Sequence, residues 1–425
     1  MLYQEALDFL YPLHRFGMKP GLDRVRRLLD VFGSPQGRLG TIVHIAGTNG
    51  KGTTAAAIAS IFQASGKKTA LYTSPHLVDF TERMRIDGVP ISPEKVAAYC
   101  TLMKDAVCDL KATFFEATTA LAFAWFADEQ IDVAVIETGM GGRLDATNVV
   151  TSDYAVITSI GLDHTEWLGN TIVMIAAEKA AIINSGSMAF TAVSSPEAVE
   201  AVEYAAKASG APLVRFGKDA RATVSSADPG RLLFSLSTTS GRYSGLEAPL
   251  TGAFHVSNLS LAVMVAERAG IGEESIRKGL ACMLRTGYRA RLEKIRSEPD
   301  ILLDVSHNPD GMRLTVDAIA VFRHRYRAVH VLIGMASDKD ARLVIRHLLP
   351  LDAVFSAVTI PSVRSISAAE LGILMQNEGI DDVQVFDTPD EALRTILQYA
   401  DSGDLILITG SFFLAGEVLR MAPLS

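Results

Sequence analysis

Three glycines and a lysine separate a short apolar run from an amphipathic stretch near the start of the chain. The segment reads "HIAGTNGKGTTAAAIASIF" and covers residues 44–62. Glycine lets the backbone take positive φ and approach a ligand closely. The first turn of a following helix would offer free N–H groups and a positive dipole end. Lys51 would add a point charge for the β- and γ-phosphates, and Thr53 or Thr54 could reach a metal, so the segment predicts a nucleotide site.

The segment departs from the common phosphate-binding loop. That pattern is G-x-x-x-x-G-K-[ST], with the hydroxyl directly after the lysine, whereas Gly52 follows Lys51 here. An ordinary Gly-rich turn with an accidental lysine is the alternative. The apolar strand before the loop and the helix after it favour the nucleotide site.

Polar side chains also follow other apolar runs. The apolar run within "IDVAVIETG" ends in Glu137, and Asp163 and His164 follow "DYAVITSIG". In P-loop enzymes an acidic residue at a strand end holds Mg²⁺. Plainer interpretations stay open, because an acidic residue can cap a strand, a lone His is more often structural, and imidazole is an unusual ligand for magnesium. Lys179 lies in an apolar helical pattern, where a lysine is most often solvated or snorkelling.

A further polar group lies in the second half of the chain. It consists of His255, Asn258, Arg291, Asp304, His307 and Asn308. His255 and Asn258 are three residues apart, which places them on one helix face. Asp304 and His307 follow a predicted strand, at the end where open α/β sheets bind ligands. Each of these residues could instead be a cap, a salt bridge or part of a turn.

Apolar runs alternate with amphipathic stretches for most of the chain, which predicts a mostly parallel sheet covered on both faces. The predicted elements of the first half are strands 41–47, 68–74, 131–139 and 153–161 and helices 53–64 and 116–128. Residues 222–250 are rich in Ser, Thr and Gly and predict a small β subsheet. A second strand series covers 301–306, 328–335, 353–360, 383–387 and 404–411. We therefore expect two domains, 1–287 and 288–425, with the hinge at 285–291.

Composition limits the class of protein. The 425 residues are 48% hydrophobic and 21% charged, with a formal net charge of −8. That charge argues against a general nucleic-acid surface but allows a local basic pocket for an anion. The three cysteines form no C-x-x-C motif and suit reduced thiols. The start lacks a signal layout, and the apolar windows are too short to span a bilayer. We expect a cytoplasmic protein that binds neither nucleic acid nor a membrane.

Taken together, the polar segments are more specific than any one of them. They run in order from residue 44 to residue 416 as "HIAGTNGKGTT", "TSPHLVDFTERMRIDG", "FFEATTALAF", "ETGMGGRLDATN", "SIGLDHTEWLGNT", "EKAAII", "HVSN", "RLE", "DVSHNP", "SDKD" and "TGSFFLAG". In this the chain resembles folylpolyglutamate synthase and dihydrofolate synthase, a branch of the Mur-ligase superfamily. One departure is "DVSHNP" in place of the more usual D-G-A-H-N-P, and it keeps both the acid and the histidine.

The resemblance implies a fold and cofactor-binding residues. The fold would be an N-terminal P-loop NTPase-like, mostly parallel sheet with a small β subsheet, and a C-terminal Rossmann-like α/β domain. The residues implied to bind ATP are Thr48, Asn49, Gly50, Lys51, Gly52, Thr53, Asn258, Arg291 and Asp304. Two Mg²⁺ ions would lie among Ser74, Glu137 and His164. Lys179 would be carbamylated, which would turn its cation into an anion, and a monovalent cation could accompany the magnesium.

The resemblance also implies the substrates. The pterin would lie near Met18, Lys19, Pro20, Thr113, Phe114, Phe115, Glu116, Leu144, Asp145 and Ala146. His307 and Ser411 would lie near the incoming L-glutamate. Lys51, Lys179 and His307 would be the catalytic residues. The enzyme would be a monomer that phosphorylates a pteroate or folate carboxylate with ATP and lets the amine of glutamate displace phosphate.

Three other functions are alternatives to this ligase. A cell-wall Mur ligase would carry a further N-terminal domain, whereas only about 45 residues precede the loop here. A non-catalytic nucleotide switch would need neither the metal residues nor the second-half group. A kinase-like phosphotransferase would release a phosphorylated product. Whether dihydropteroate, reduced folate or both are accepted is left open by the sequence.

Overall fold

The structure is a computed structural model that describes residues 1–16 and 21–421. Its first half is built on an eight-stranded sheet with the order β4-β3-β2-β5-β1-β6-β7-β8. The strands are β1 Thr41–Ala46, β2 Thr69–Tyr72, β3 Met84–Ile86, β4 Val89–Pro90, β5 Val133–Glu137, β6 Tyr154–Ile157, β7 Met188–Thr191 and β8 Leu213–Arg215. Strand β3 pairs antiparallel with both of its neighbours, β2 and β4, and all other neighbouring strands pair parallel.

Helices cover both faces of this sheet. They are α1 Tyr3–Leu10, α2 Asp23–Asp30, α3 Lys51–Ala64, α4 Pro93–Leu110, α5 Phe114–Asp128, α6 Thr165–Leu168, α7 Ile172–Ala180, α8 Pro196–Ser209, α9 His255–Arg268 and α10 Glu273–Ala281. The central strand β1 explains the layering, because successive side chains point to opposite faces. Ile42 joins the cluster under α1, α2, α4 and α5, whereas Val43 and Ile45 join the cluster under α3, α9 and α10.

A small antiparallel sheet follows in the chain, as the Ser- and Thr-rich stretch predicted. It consists of β9 Ala220–Asp228, β10 Arg231–Thr238 and β11 Arg242–Ala248, with β10 in the middle. Alternate residues of β10, namely Leu232, Phe234 and Leu236, are buried in the same cluster as α3 and α9. This sheet is therefore part of the first domain's core.

The second half is a six-stranded sheet with the order β12-β13-β17-β14-β15-β16. Its strands are β12 Glu293–Arg296, β13 Asp300–Leu303, β14 Val329–Ile333, β15 Val354–Val358, β16 Val383–Phe386 and β17 Leu405–Thr409. Its helices are α11 Pro309–Ala320, α12 Ala341–Leu348, α13 Ala368–Asn377, α14 Pro389–Tyr399 and α15 Phe412–Arg420. Only the edge strand β12 pairs antiparallel within it.

The predicted fold class is confirmed, and each predicted strand is present in shortened form. Two predicted helix starts were wrong. Helix α5 begins at Phe114 rather than at Glu116. Helix α3 begins at Lys51 rather than around Thr53. The reason is Gly50, whose φ of 89° places the helix N-cap in the left-handed region that glycine takes without strain. Within the described part of the chain, no helix is both long and apolar enough to cross a membrane.

Candidate active site

The glycine-rich loop is held in place by hydrogen bonds and packing from other segments of the chain. Thr48 N donates to the carbonyl oxygen of Ser159 at 2.7 Å, and Asn49 N donates to the Ser159 hydroxyl at 3.0 Å. Asn258 packs against Gly50 so closely that a Cβ there would overlap its amide group. Asn258, which the resemblance implies to bind ATP, therefore lies against the loop, and glycine at position 50 is required by both space and conformation.

Lys51 lies over the loop that precedes it. Its Nζ donates to the carbonyl oxygens of Gly47 at 3.0 Å and Thr48 at 3.2 Å. The lysine is also the first residue of α3. A cation and the free N–H groups of a helix N-terminus thus face the same space, which is the arrangement that binds phosphate.

Thr53 makes a contact that the sequence did not indicate. Its Oγ1 lies 2.5 Å from the hydroxyl of Tyr288, and both side chains are buried. Burial raises the pKa of Tyr288, so the phenol stays protonated and can donate to Thr53. The hinge segment therefore touches the first turn of the phosphate-loop helix directly.

Glu137 and Ser74 meet at the ends of adjacent strands. The Ser74 N–H donates to Glu137 Oε2 at 3.2 Å, and the carboxyl is only 5% exposed. Burial raises the pKa of Glu137, while the nearby charge of Lys51 lowers it. A buried carboxylate beside a hydroxyl is an all-oxygen donor set of the kind that Mg²⁺ prefers. These residues fit a divalent cation.

One cavity joins this carboxylate to the second domain. Gly52, Ser74 and Glu137 line it from the first domain, and Arg291 and Phe412 from the second. Tyr288 and other residues of the hinge also line it. Residues that the sequence predicted to bind ATP and metal therefore converge between the two domains.

His164 does not line this cavity. Its Nε2 lies 3.8 Å from Asp163 Oδ2, and burial lowers the pKa of the imidazole. Within residues 1–16 and 21–421, no three His, Cys, Asp or Glu side chains are grouped to hold a metal. The structure thus brings Ser74 and Glu137 together, whereas the charges that act on His164 are those of Asp163, Lys339, Lys179 and Lys51.

Lys179 is buried, which rules out the solvated lysine that its helical pattern most often indicates. Its side chain is 4% exposed, and its Nζ donates to the Gly47 carbonyl oxygen at 2.9 Å. Burial, with the nearby charge of Lys51, lowers the pKa of Lys179 to about 7. Much of this amine is therefore uncharged near neutral pH, beside the phosphate loop.

In the second domain, Arg291 and His307 both lie beside the ring of Phe412. The guanidinium of Arg291 lies 4.7 Å from the centre of the Phe412 ring, and the His307 ring lies 5.5 Å from the same phenyl. His307 Nδ1 lies 2.8 Å from the Val305 carbonyl oxygen. Because a carbonyl only accepts, Nδ1 carries the proton and Nε2 keeps its lone pair. Burial lowers the pKa of His307, which favours this neutral form. Ser411 lies next to Phe412, as the N-cap of α15.

Asp304 is buried and its carboxylate is already occupied. It accepts hydrogen bonds from Leu292 N at 3.0 Å, from Ser306 N at 3.2 Å and from Thr315 Oγ1 at 2.8 Å. These contacts tie the start of β12 to the end of β13. Asp304 therefore holds the second domain's loops in place, whatever ligand it also contacts.

Some residues expected near the pterin have structural partners. Thr113 and Glu116 form the capping box of α5, and Glu116 also pairs with Arg24 Nε at 3.0 Å. Asp145 accepts from Met140 N at 2.9 Å and so shapes the glycine turn after β5. Ala146 is buried, Leu144 is 47% exposed, and Phe115 packs against Gly139. Met18, Lys19 and Pro20 lie outside the described residues.

Phe114 is at the centre of an aromatic and cationic cluster. The His14 ring stacks on it at 4.0 Å, and the Arg83 guanidinium lies 5.0 Å from its centre. Arg83 is buried, and its Nε donates to His76 Nδ1 at 2.8 Å. Burial lowers the pKa of His76 to about 3, so this imidazole is neutral and accepts the hydrogen bond from Arg83. The cluster can hold an anion beside an aromatic ring.

Comparisons with known proteins identify the family of this chain. Residues 45–266 match the Mur ligase middle domain, and residues 290–412 match the Mur ligase glutamate ligase domain. The dihydrofolate synthase/folylpolyglutamate synthase of Bacillus subtilis is 33% identical over 431 residues, covering 98% of each chain. The chain belongs to the dihydrofolate synthase/folylpolyglutamate synthase family.

Solved members of the dihydrofolate synthase/folylpolyglutamate synthase family have the same fold. Escherichia coli FolC in complex with DHPP and ADP superposes with a TM-score of 0.89 at 30% identity, over 99% of this chain and 97% of that one. The Yersinia pestis enzyme complexed with AMPPNP and Mn ion superposes with a TM-score of 0.86 at 29% identity, over 99% and 97%.

Three residues that take part in the contacts described above were not among those predicted from the sequence. They are Tyr288, Arg83 and His76. Arg83 and His76 lie in "TSPHLVDFTERMRIDG", which carried the family resemblance without a role for either residue. Arg83 ends the short 3-10 helix Phe80–Arg83, and no pattern in the sequence indicates that its side chain is buried.

Proposed function

We propose that this enzyme joins L-glutamate to the carboxylate of dihydropteroate, a reduced folate or both, with ATP converted to ADP and phosphate through an acyl phosphate. The observation that carries the proposal is the cavity between the domains. In it the phosphate-loop glycine Gly52 and the buried carboxylate of Glu137 face Arg291 and Phe412 of the second domain. A ligase needs this layout, because an activated acid from one side must meet an amine from the other.

ATP would bind along the loop from Thr48 to Thr53. The backbone N–H groups at the start of α3 and the Lys51 ammonium would hold the β- and γ-phosphates. Asn258 would approach the nucleotide from its position against Gly50. Arg291 would add positive charge from the second domain, and Asp304 would fix the loop that carries His307.

A divalent cation would lie beside Ser74 and Glu137. The related enzymes were solved with ADP, or with AMPPNP and a Mn ion, which supports ATP and a divalent metal as the ligands of this chain. Such an ion, when bound, would neutralise charge between the triphosphate and the acceptor carboxylate. His164 stands apart from the cavity, so its place in a second metal site stays a prediction.

Lys179 would be carbamylated. An amine attacks CO₂ only in its neutral form, and a pKa of about 7 makes that form abundant near neutral pH. The nitrogen bonds to the carbon of CO₂ and releases one proton, leaving an anion at a buried position close to the loop. The accompanying monovalent cation stays a prediction from the family resemblance.

The reaction would then proceed in two steps, phosphoryl transfer and amide formation. An oxygen of the acceptor carboxylate attacks the γ-phosphorus, and ADP leaves. The α-amine of glutamate attacks the acyl carbon, and phosphate leaves with that oxygen. His307 Nε2 has the free lone pair that can take the amine's proton. Lys51 and the helix N-terminus stabilise the transferred phosphoryl group.

The remaining expectations concern the rest of the site. Phe114 with Arg83, and the buried Ala146, support a pterin acceptor site on the first domain. Ser411 would contact the incoming glutamate from the start of α15. We propose that the domains divide at Gly287, next to Tyr288. A cytoplasmic monomer that binds neither nucleic acid nor a membrane stays a prediction from the sequence.

The test supplies the purified enzyme with ATP, Mg²⁺ and L-glutamate, and adds dihydropteroate or a reduced folate in separate reactions. Phosphate and the new amide are both measured. Equal amounts of amide and phosphate with at least one acceptor would support the proposal, and the comparison would assign the acceptor. Absence of amide with both acceptors would overturn it.

A further inference from the structure

The loop after β2 leaves the first domain and packs into the second. Leu77 is half-buried against the cluster of the second domain's core that contains Leu414, Ala415 and Val418 of α15. Helix α15 also meets the loop backbone: Gly416 lies so close to the Leu77 carbonyl oxygen that a Cβ would overlap it. This close contact between Leu77 and α15 is the interdomain joint.

A hydrogen bond extends this joint at the far end of the helix. Arg420 Nη2 donates to the Val78 carbonyl oxygen at 2.8 Å. At the near end, Ser411 and Phe412 begin α15 beside His307 and Arg291. One helix thus contacts the loop along its length and carries second-domain site residues at its start.

The loop is stiff enough to transmit this contact. The Glu82 carboxylate accepts from Leu77 N at 2.8 Å, from Val78 N at 3.1 Å and from Asp79 N at 2.9 Å. Three residues before Leu77, the Ser74 N–H binds Glu137. A displacement of Leu77 would therefore reach Ser74 rather than be absorbed by a flexible chain.

We infer that Leu77 is a positioning residue: its docking on α15 sets Ser74 and Glu137 in register with Ser411 and His307. This inference rests on the proposed function. An enzyme with an undocked loop would still bind ATP at the phosphate loop, because that loop is held by Ser159 and Asn258. It would form the acyl phosphate in a site open to water, where that intermediate hydrolyses.

The test compares Leu77→Ala with Leu397→Ala. Leu397 is also half-buried against the same cluster, but it belongs to α14 of the second domain itself. Both variants lose the same methyl groups, so their thermal stabilities should fall alike. We expect Leu77→Ala to lower the kcat for amide formation about tenfold or more, with an unchanged KM for ATP and with phosphate released in excess of amide. Leu77→Met should restore most of the activity.

A second pair of variants does not depend on a cavity. Gly416→Ala adds one methyl group at the joint, whereas Gly403→Ala adds one where no atom lies within 4 Å. Only Gly416→Ala should show excess phosphate release. Equal ratios of amide to phosphate in Leu77→Ala and Leu397→Ala, and in the two glycine variants, would overturn the inference. If the wild-type enzyme makes no amide, the proposed function fails instead, so the two failures are distinct.

Discussion

The Nζ of Lys179 donates to the Gly47 carbonyl oxygen at 2.9 Å, and this joins residues 132 positions apart in the chain. The same carbonyl accepts from Lys51 Nζ at 3.0 Å. Two lysines therefore share one oxygen at the start of the phosphate loop. The charge of Lys51 helps to hold the pKa of Lys179 low, so the cation proposed to bind phosphate also favours the neutral amine that the proposed carbamylation needs.

Replacing Lys51 tests the phosphate loop. Lys51→Ala should lower kcat by about 10²–10³-fold or more, because it removes a preorganised cation from the transferred phosphoryl group. The circular dichroism spectrum should not change. Lys207→Ala, which alters an exposed lysine on α8, is the control and should be fully active. A Lys51→Ala enzyme with normal turnover would refute the loop assignment.

Replacing Lys179 tests the carbamate. Lys179→Ala should be inactive and regain part of its activity with a short carboxylic acid that occupies the vacated space. In the wild type, ¹³C-labelled bicarbonate should give one carbamate resonance that Lys179→Ala lacks. A fully active wild-type enzyme without that resonance would contradict the assignment.

The same lysine predicts a pH dependence of stability. Burial lowers its pKa from 10.5 to about 7, so between these values the unfolded chain binds more protons than the folded one. The contribution of unmodified Lys179 to the free energy of unfolding should therefore rise with pH across that window, by at most about 1.4 kcal/mol per pH unit. Denaturant unfolding in CO₂-free buffer should show this slope, and Lys179→Met should lack it. Bicarbonate should leave the slope in place, because the carbamate binds no proton in this window whereas the lysine of the unfolded chain still does. Identical slopes in wild type and Lys179→Met would contradict the prediction.

Tyr288 tests the link between the hinge and the loop. Tyr288→Phe removes the hydroxyl that lies 2.5 Å from Thr53 Oγ1. The change should cost about 1 kcal/mol of stability and raise the KM for ATP about fivefold, since Thr53 loses the partner that orients its hydroxyl. Tyr72→Phe is the matched control, because it removes a buried hydroxyl 3.1 Å from Thr119 Oγ1. It should lose similar stability and keep the wild-type KM. A shared change in KM would show that the Tyr288 hydroxyl has no specific role.

Asp304 tests whether a predicted ATP ligand also holds the second domain together. Asp304→Asn replaces an acceptor oxygen by a donor and should lower the free energy of unfolding by about 1–3 kcal/mol. Thr315→Val removes only one of the three donors and should cost less. Both are measured by denaturant titration beside the steady-state kinetics. An inactive Asp304→Asn enzyme with wild-type stability would instead assign the carboxylate wholly to ligand binding.

The sequence was most informative where periodicity and glycine positions determine local structure. The strand before Gly47 and the helix after Gly50 were both predicted, because an apolar run and a glycine turn have few other structures. It was least informative about burial. Lys179 has a common helical context, and only the packing of α7 against the loop shows that its amine is enclosed. The pairing of Thr53 with Tyr288 joins positions 235 apart, and neither residue has a pattern that indicates the other.

The positions of polar residues at strand ends were predicted correctly, but the groups that each side chain faces were not. Glu137 faces the cavity, whereas Asp304 directs both oxygens at its own domain. The difference depends on which backbone N–H groups surround each carboxylate after folding. His164 shows the same limit, since its neighbour Asp163 was visible in the sequence but the nearby charges of Lys179 and Lys51 were not.

The most direct test of the central claim follows one oxygen atom. The acceptor carboxylate is labelled with ¹⁸O, and the phosphate released during ligation is analysed by mass spectrometry. If the carboxylate attacks ATP to form an acyl phosphate, one ¹⁸O should appear in each phosphate per amide formed. Unlabelled phosphate alongside stoichiometric amide would contradict carboxylate activation by this enzyme.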